Sequence, residues 1–145
     1  MKKIAENMNV YLSDLVVFYL KLHDLHWNVK GMQFVPVHQS TESRYEDMAS
    51  KFDEIAELVL MHGEKPVSSI SEYVKLASIK EIGGKSYKDV EVLQILIDDM
   101  SHLKSEAESL REKMASEDIF DVVAVLEEHI AGYNKVLWFL NSMMA

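Results

Sequence analysis

Apolar residues recur at alternating steps of three and four in four separate stretches of the chain. The first runs Ile4, Met8, Tyr11, Leu15, Phe18, Leu22, Leu25, Val29, and the second Tyr45, Met48, Phe52, Ile55, Val59. The third is Leu93, Leu96, Met100, Leu103, Ala107, Leu110, Met114, and the fourth Ile119, Val123, Leu126, Ile130, Tyr133, Leu137, Leu140, Met144. A step averaging near 3.6 residues keeps one face of a helix apolar, so each stretch predicts a helix with a single buried seam. Four such helices predict an all-α four-helix bundle.

Glycine and proline divide the stretches where a bundle needs ends. Gly31 follows the first as a C-terminal stop, and Pro36 suits the first turn of a second helix over 36–62. Gly63 and Pro66 close that helix, and Ser86 with Asp89 reads as the cap of the third. About 25 residues separate helices two and three, too many for a tight hairpin and enough for a crossover along the bundle. Inside it, Ser69 and Glu72 form a capping-box pattern that opens a short helix through about Leu76. Short first and third connections with a long middle one describe a ferritin-like topology. One domain over residues 1–145 is expected, and 145 residues suffice for a proper core.

Composition narrows the chemistry. The chain has no cysteine, which removes disulfides, thiolate nucleophiles and cysteine-bound metal centres, and it fits a cytoplasmic location. The first residues lack the apolar core of a signal peptide, and no apolar run reaches the ~18 residues that cross a bilayer. A net charge of −9 repels nucleic acid and anionic membrane and attracts cations.

The chemistry-bearing residues lie between the first two helices and along the second. His26 and His38 precede an Asp-x-x-x-Glu pair, Asp53 and Glu57, with Glu42 one turn below His38. Imidazoles mixed with carboxylates suit iron, manganese or zinc, and the carboxylate-rich balance favours the first two. On one continuous helix, His38, Glu42, Asp53 and Glu57 fall within about 100° of arc. Yet Glu42 and Asp53 are separated by roughly 16 Å of helix, more than one metal can bridge. A site using all five residues therefore needs two antiparallel copies of helix two across a two-fold axis, each chain serving two sites. The competing reading is a helix with solvated charges, since Glu46, Asp47 and Glu54 share it. An intrachain di-iron centre built on Glu-x-x-His is not expected, because that motif is absent and Asp99-Met100-Ser101-His102 only approaches it. His23 reads as a hydrogen-bonded core or interface residue, and His62, His102 and His129 as ordinary surface or interface residues.

The run from Leu22 to Pro66 carries a resemblance. It reads His23-Asp24-Leu25-His26-Trp27-Asn28-Val29-Lys30-Gly31, then Phe34, His38, Glu42, Tyr45, Asp53-Glu54-Ile55-Ala56-Glu57 and Gly63-Glu64-Lys65-Pro66. This pattern closely resembles the Dps family, the mini-ferritins first named as DNA-protecting proteins of starved cells. The resemblance implies a hollow shell of twelve ferritin-like subunits that oxidises Fe(II) to Fe(III), usually with hydrogen peroxide, and stores the ferric product. It also implies that His26, His38 and Glu42 of one subunit meet Asp53 and Glu57 of its two-fold mate. Asp53, Glu57 and His26 would hold one ferrous ion, with His38 and Glu42 recruiting a second. The lysine-rich N-terminal extension of the founding DNA-binding members is not matched by Lys2 and Lys3, so direct DNA binding is not expected. Two other functions remain open at this point: a DNA-compacting architectural protein, and a metal-binding oligomer without turnover.

Overall fold

The structure is a computed structural model that describes residues 3–145. Four long helices form the bundle: α1 (Ala5–Asn28), α2 (Phe34–Met61), α4 (Asp89–Ser116) and α5 (Phe120–Met144), with a short α3 (Ile70–Leu76) in the crossover. The helices pack as two hairpins, α1 on α2 and α4 on α5, and α3 lies on α1. The predicted architecture is therefore the observed one. Every member of the first and third apolar series is buried. The second and fourth series are buried at Met48, Ile55, Val59, Ile119, Leu126, Tyr133 and Leu140, while Tyr45, Phe52, Val123, Ile130 and Leu137 pack at the core's margin.

The turn that delivers the metal-ligand candidates is held by a small parallel bridge. Strand β1 (Val29–Lys30) pairs with β2 (Tyr87–Lys88), Val29 opposite Tyr87, tying the end of α1 to the start of α4. Gly31 then turns at φ +127°, where a Cβ would sit 2.6 Å from Asp89 Oδ2. That oxygen instead accepts the Gln33 amide at 2.8 Å, and α2 begins at Phe34. Glycine is required here by both conformation and space. Ser86 does not cap α4, contrary to expectation. The bridge keeps Tyr87 and Lys88 extended, so the helix starts at Asp89, and the Glu91 carboxylate accepts the Lys88 amide at 3.3 Å.

At the far end of α2 the backbone closes in a Schellman turn. Gly63, at φ +77°, donates to the Leu60 carbonyl at 2.9 Å, and Glu64 donates to Val59 at 3.1 Å. The Glu64 side chain then serves a second helix. Its two oxygens accept the Ile4 and Ala5 amides at 2.6 and 3.2 Å, satisfying orphan donors and placing negative charge at the α1 N-terminus. Two further side chains of α1 hold the crossover. Asn9 accepts the Val67 amide, and the fully buried Asp14 accepts the Ser78 and Ile79 amides at 2.6 and 2.9 Å. Ser69 stands at the N-cap of α3, but the expected capping box does not form: its hydroxyl donates to the Glu72 carboxylate at 2.8 Å instead of accepting a backbone amide.

Candidate metal centre

His26 lies in the last turn of α1 and His38 near the start of α2, and the Gly31 turn folds one onto the other. Their rings stack with centroids 3.6 Å apart and planes 16° from parallel. The bonding is reciprocal: His26 Nδ1 donates to the His38 carbonyl at 2.7 Å, and His38 Nδ1 donates to the His26 carbonyl at 2.8 Å. A carbonyl only accepts, so each Nδ1 carries a proton, and in the neutral imidazole that leaves the Nε2 lone pair for a ligand. Fixing the tautomer through the second nitrogen is how ligating histidines are commonly prepared. The buried Thr41 hydroxyl, 3.0 Å from His26 Nδ1, further restrains that ring.

Glu42 completes this end of the helix, its Oε1 3.8 Å from His26 Nε2. That gap is loose for a direct ion pair and leaves the half-exposed Glu42 carboxylate free to turn towards an ion held at His26 Nε2. Phe34 stacks on His38 at 5.0 Å, and Tyr45 meets the His26 ring edge-on at 5.3 Å. These aromatic walls hold the imidazoles in position and keep water from one side of them. Helix α2 is continuous from Phe34 to Met61, so Asp53 and Glu57 remain exposed well down the helix, ~16 Å from Glu42 by helical rise. The fold thus gathers His26, His38 and Glu42 into one cluster and leaves Asp53 and Glu57 away from it in the same chain.

The remaining histidines divide differently from the sequence reading. His129 is buried rather than at the surface: its Nε2 lies 2.8 Å from Glu54 Oε1 and its Nδ1 2.9 Å from the Tyr11 hydroxyl. The Tyr11 hydroxyl also meets that of Tyr133 at 2.5 Å, forming a polar chain through the bundle core. Burial raises both tyrosines well above their ordinary range and lowers His129, with Glu54 opposing the latter shift. His23 stacks on Tyr45 at 3.8 Å, so ring packing holds it within the subunit. Position 129 falls on the inner face of α5, four residues before Tyr133, and that spacing was the available signal for its burial.

A second set of candidate ligands was not singled out from the sequence. Asp14 of α1 meets His102 and Glu106 of α4, with one donor atom of each lying within 4.8 Å of the others. Burial, reinforced by the adjacent Asp14 carboxylate, pushes Glu106 up to about 9. Asp99, the acid of the near-motif, does not join them; it pairs with buried Lys21 at 2.7 Å.

An apolar groove of about 440 Å³ runs between α1 and α3, lined by Val16, Leu20, Trp27, Ile70, Tyr73 and Val74. Trp27 is 67% exposed and Ile70 81%, a large uncovered apolar surface beside the histidine pair.

Comparison with known proteins agrees with this architecture. The ferritin-like domain family matches residues 5–145. The DNA protection during starvation protein of Helicobacter pylori strain J99 is 32% identical over 143 residues, covering 99% of each chain. Among solved structures, Helicobacter cinaedi CAIP superposes with a TM-score of 0.94 at 34% identity, covering 99% of this chain and 100% of its own. A Dps protein from Vibrio cholerae O1, described as a member of a broad superfamily of ferritin-like diiron-carboxylate proteins, gives 0.93 at 30% identity, covering 97% and 88%. With full-length similarity in both sequence and fold, this chain belongs to the Dps family of ferritin-like proteins.

Proposed function

We propose that the chain is a ferroxidase subunit that removes Fe(II) and hydrogen peroxide together and stores the ferric product inside a twelve-subunit shell. The observation that carries this reading is the division of ligands along α2. Two imidazoles with open Nε2 atoms and Glu42 stand at one end, and two exposed carboxylates, Asp53 and Glu57, at the other. Antiparallel pairing of two subunits brings unlike ends together and completes two sites per pair. The apolar surface around Trp27, Leu20 and Ile70 supports the same arrangement, because it lies beside the histidines and a mate would bury it. The Vibrio cholerae relative's description as a diiron-carboxylate protein is consistent with iron as the substrate.

The chemistry needs a binding site for a cationic substrate and a path for electrons. Asp53 and Glu57 supply negative charge and oxygen donors, while His26 supplies a nitrogen donor held by its Nδ1–H bond to the His38 carbonyl. His38 and Glu42 recruit the second ferrous ion. Two Fe(II) and one hydrogen peroxide, with two protons, give two Fe(III) and two water molecules. Delivering both electrons at one site avoids release of a hydroxyl radical. No side-chain nucleophile is required, since the metal carries the redox step and the protein supplies geometry and charge. Protection of DNA, named in the Helicobacter pylori relative, would follow from this removal of iron and peroxide without contact with DNA. The net charge of −9 per chain supports that indirect route.

Anaerobic loading with Fe(II) followed by peroxide, read by ferric absorbance, tests the proposal. Oxidation should consume close to one peroxide per two Fe(II) and should fail in Asp53→Ala and Glu57→Ala shells. Metal binding without accelerated oxidation would instead identify a non-catalytic metal-binding oligomer.

A further inference from the structure

We propose that Asp14, His102 and Glu106 form a separate divalent-cation site inside each subunit, with the donor chemistry of a zinc site. The three residues come from two elements and converge where α1 meets α4 and the crossover residues just after α3. His102 and Glu106 stand one helical turn apart on α4, so both side chains reach from the same face. His102 Nε2 lies 3.4 Å from Asp14 Oδ2 and 3.0 Å from Glu106 Oε2. Bonds of about 2.0–2.1 Å in a tetrahedron put neighbouring ligands roughly 3.4 Å apart, so these donors already stand near the required spacing.

The surroundings favour a cation over a simple ion pair. Asp14 is fully buried, and its Oδ1 is occupied by the Ser78 and Ile79 amides, which turn Oδ2 towards the histidine. A ligating carboxylate is typically oriented by outer hydrogen bonds in this way. Glu106 stands within hydrogen-bond reach of the Asp14 carboxylate, and no lysine or arginine pairs with either carboxylate among the described residues. Two acids and one imidazole thus crowd one locus with no cationic side chain between the facing carboxyl groups, a place that a divalent ion would take. His102, with 41% of its side chain exposed, gives an entry route from solvent and leaves room for water as a fourth ligand. One nitrogen and two oxygen donors with an open position suit Zn(II), and Fe(II) is weaker at such a site by the usual order of divalent affinities. A bound ion would also lock residues 78–79 of the crossover against α1 and α4.

The site is tested by metal titration of intact shells stripped with chelator and carrying Asp53→Ala/Glu57→Ala to weaken the interface sites. Zn(II) binding is followed by calorimetry, and Co(II) is used as a visible probe of tetrahedral coordination. In this parent, His102→Ala should remove about one Zn(II) equivalent per subunit and its share of the Co(II) absorption. Glu106→Gln, nearly isosteric, should do the same, with circular dichroism checking the fold. His102 is partly exposed, so its variant keeps the test decisive should Glu106→Gln unfold. Equal stoichiometry and an unchanged Co(II) spectrum in a folded His102→Ala shell would overturn the assignment. These readouts do not depend on ferrous oxidation, so failure here is separable from failure of the ferroxidase proposal.

Discussion

Sharing of ligands between subunits makes a quantitative prediction for mixed shells. One set of subunits carries His26→Ala/His38→Ala and the other Asp53→Ala/Glu57→Ala. Within one chain His26 and Glu42 stand 3.8 Å apart between donor atoms, while Asp53 lies eleven residues beyond Glu42 along the unbroken α2. The rise of 1.5 Å per residue separates the two halves by ~16 Å, so neither variant can assemble a site from its own ligands alone. Each shell of one variant should be inactive. In a mixed pair, one site takes histidines from the second variant and carboxylates from the first and is intact, while its twin lacks all four. Random pairing at equal amounts makes about half the interfaces mixed, each with one good site of two, so about a quarter of wild-type sites return. Stopped-flow ferric absorbance on co-assembled shells, purified through a tag on each variant, measures the recovery. Asp53 and Glu57 are exposed, so their removal should change stability by no more than about 0.5 kcal/mol. Absence of recovery in shells proven to contain both variants would refute ligand sharing, as would appreciable activity in either variant alone.

Other outcomes follow from the core and the surface. Tyr11→Phe removes a hydroxyl bonded to both His129 and Tyr133, each buried, and should destabilise the fold by about 2–4 kcal/mol, read from denaturant midpoints with circular dichroism. Glu106, pushed up to about 9 from an ordinary 4.5, binds more protons folded than unfolded between those values. In chelator, its contribution to stability should therefore fall as pH rises through that window, by at most about 1.4 kcal/mol per pH unit, and Glu106→Gln should flatten the profile measured from pH 5.5 to 8.5. DNA retention should be negligible in a gel shift at moderate salt with chelator, because a chain of net charge −9 offers few phosphate contacts. Retarded DNA under those conditions would contradict it. Lys2 lies outside the described residues, and its role would be read by Lys2→Ala/Lys3→Ala.

The amino-acid sequence by itself determined the bundle, because helix periodicity is local: Ile4 through Val29 and Leu93 through Met114 are buried at every predicted position. It also determined that His38, Glu42, Asp53 and Glu57 share a face at a separation no single metal can bridge, since helical rise and turn are properties of the backbone alone. What surrounds those residues was decided by tertiary structure. The tautomers of His26 and His38 depend on carbonyls brought within reach by the Gly31 turn, and the clash a Gly31 Cβ would meet comes from Asp89, far away in sequence. The start of α4 moved past Ser86 because a bridge to Val29 and Lys30 outweighed a local capping preference. Glu64 capping α1, His129 bonding Tyr11 and Asp14 meeting His102 and Glu106 join residues from 59 to 118 positions apart. A polar residue on a helix looks alike in sequence whether it faces water or a distant partner. Only the packing of one helix on another settles which it meets, because burial and hydrogen bonding act through space.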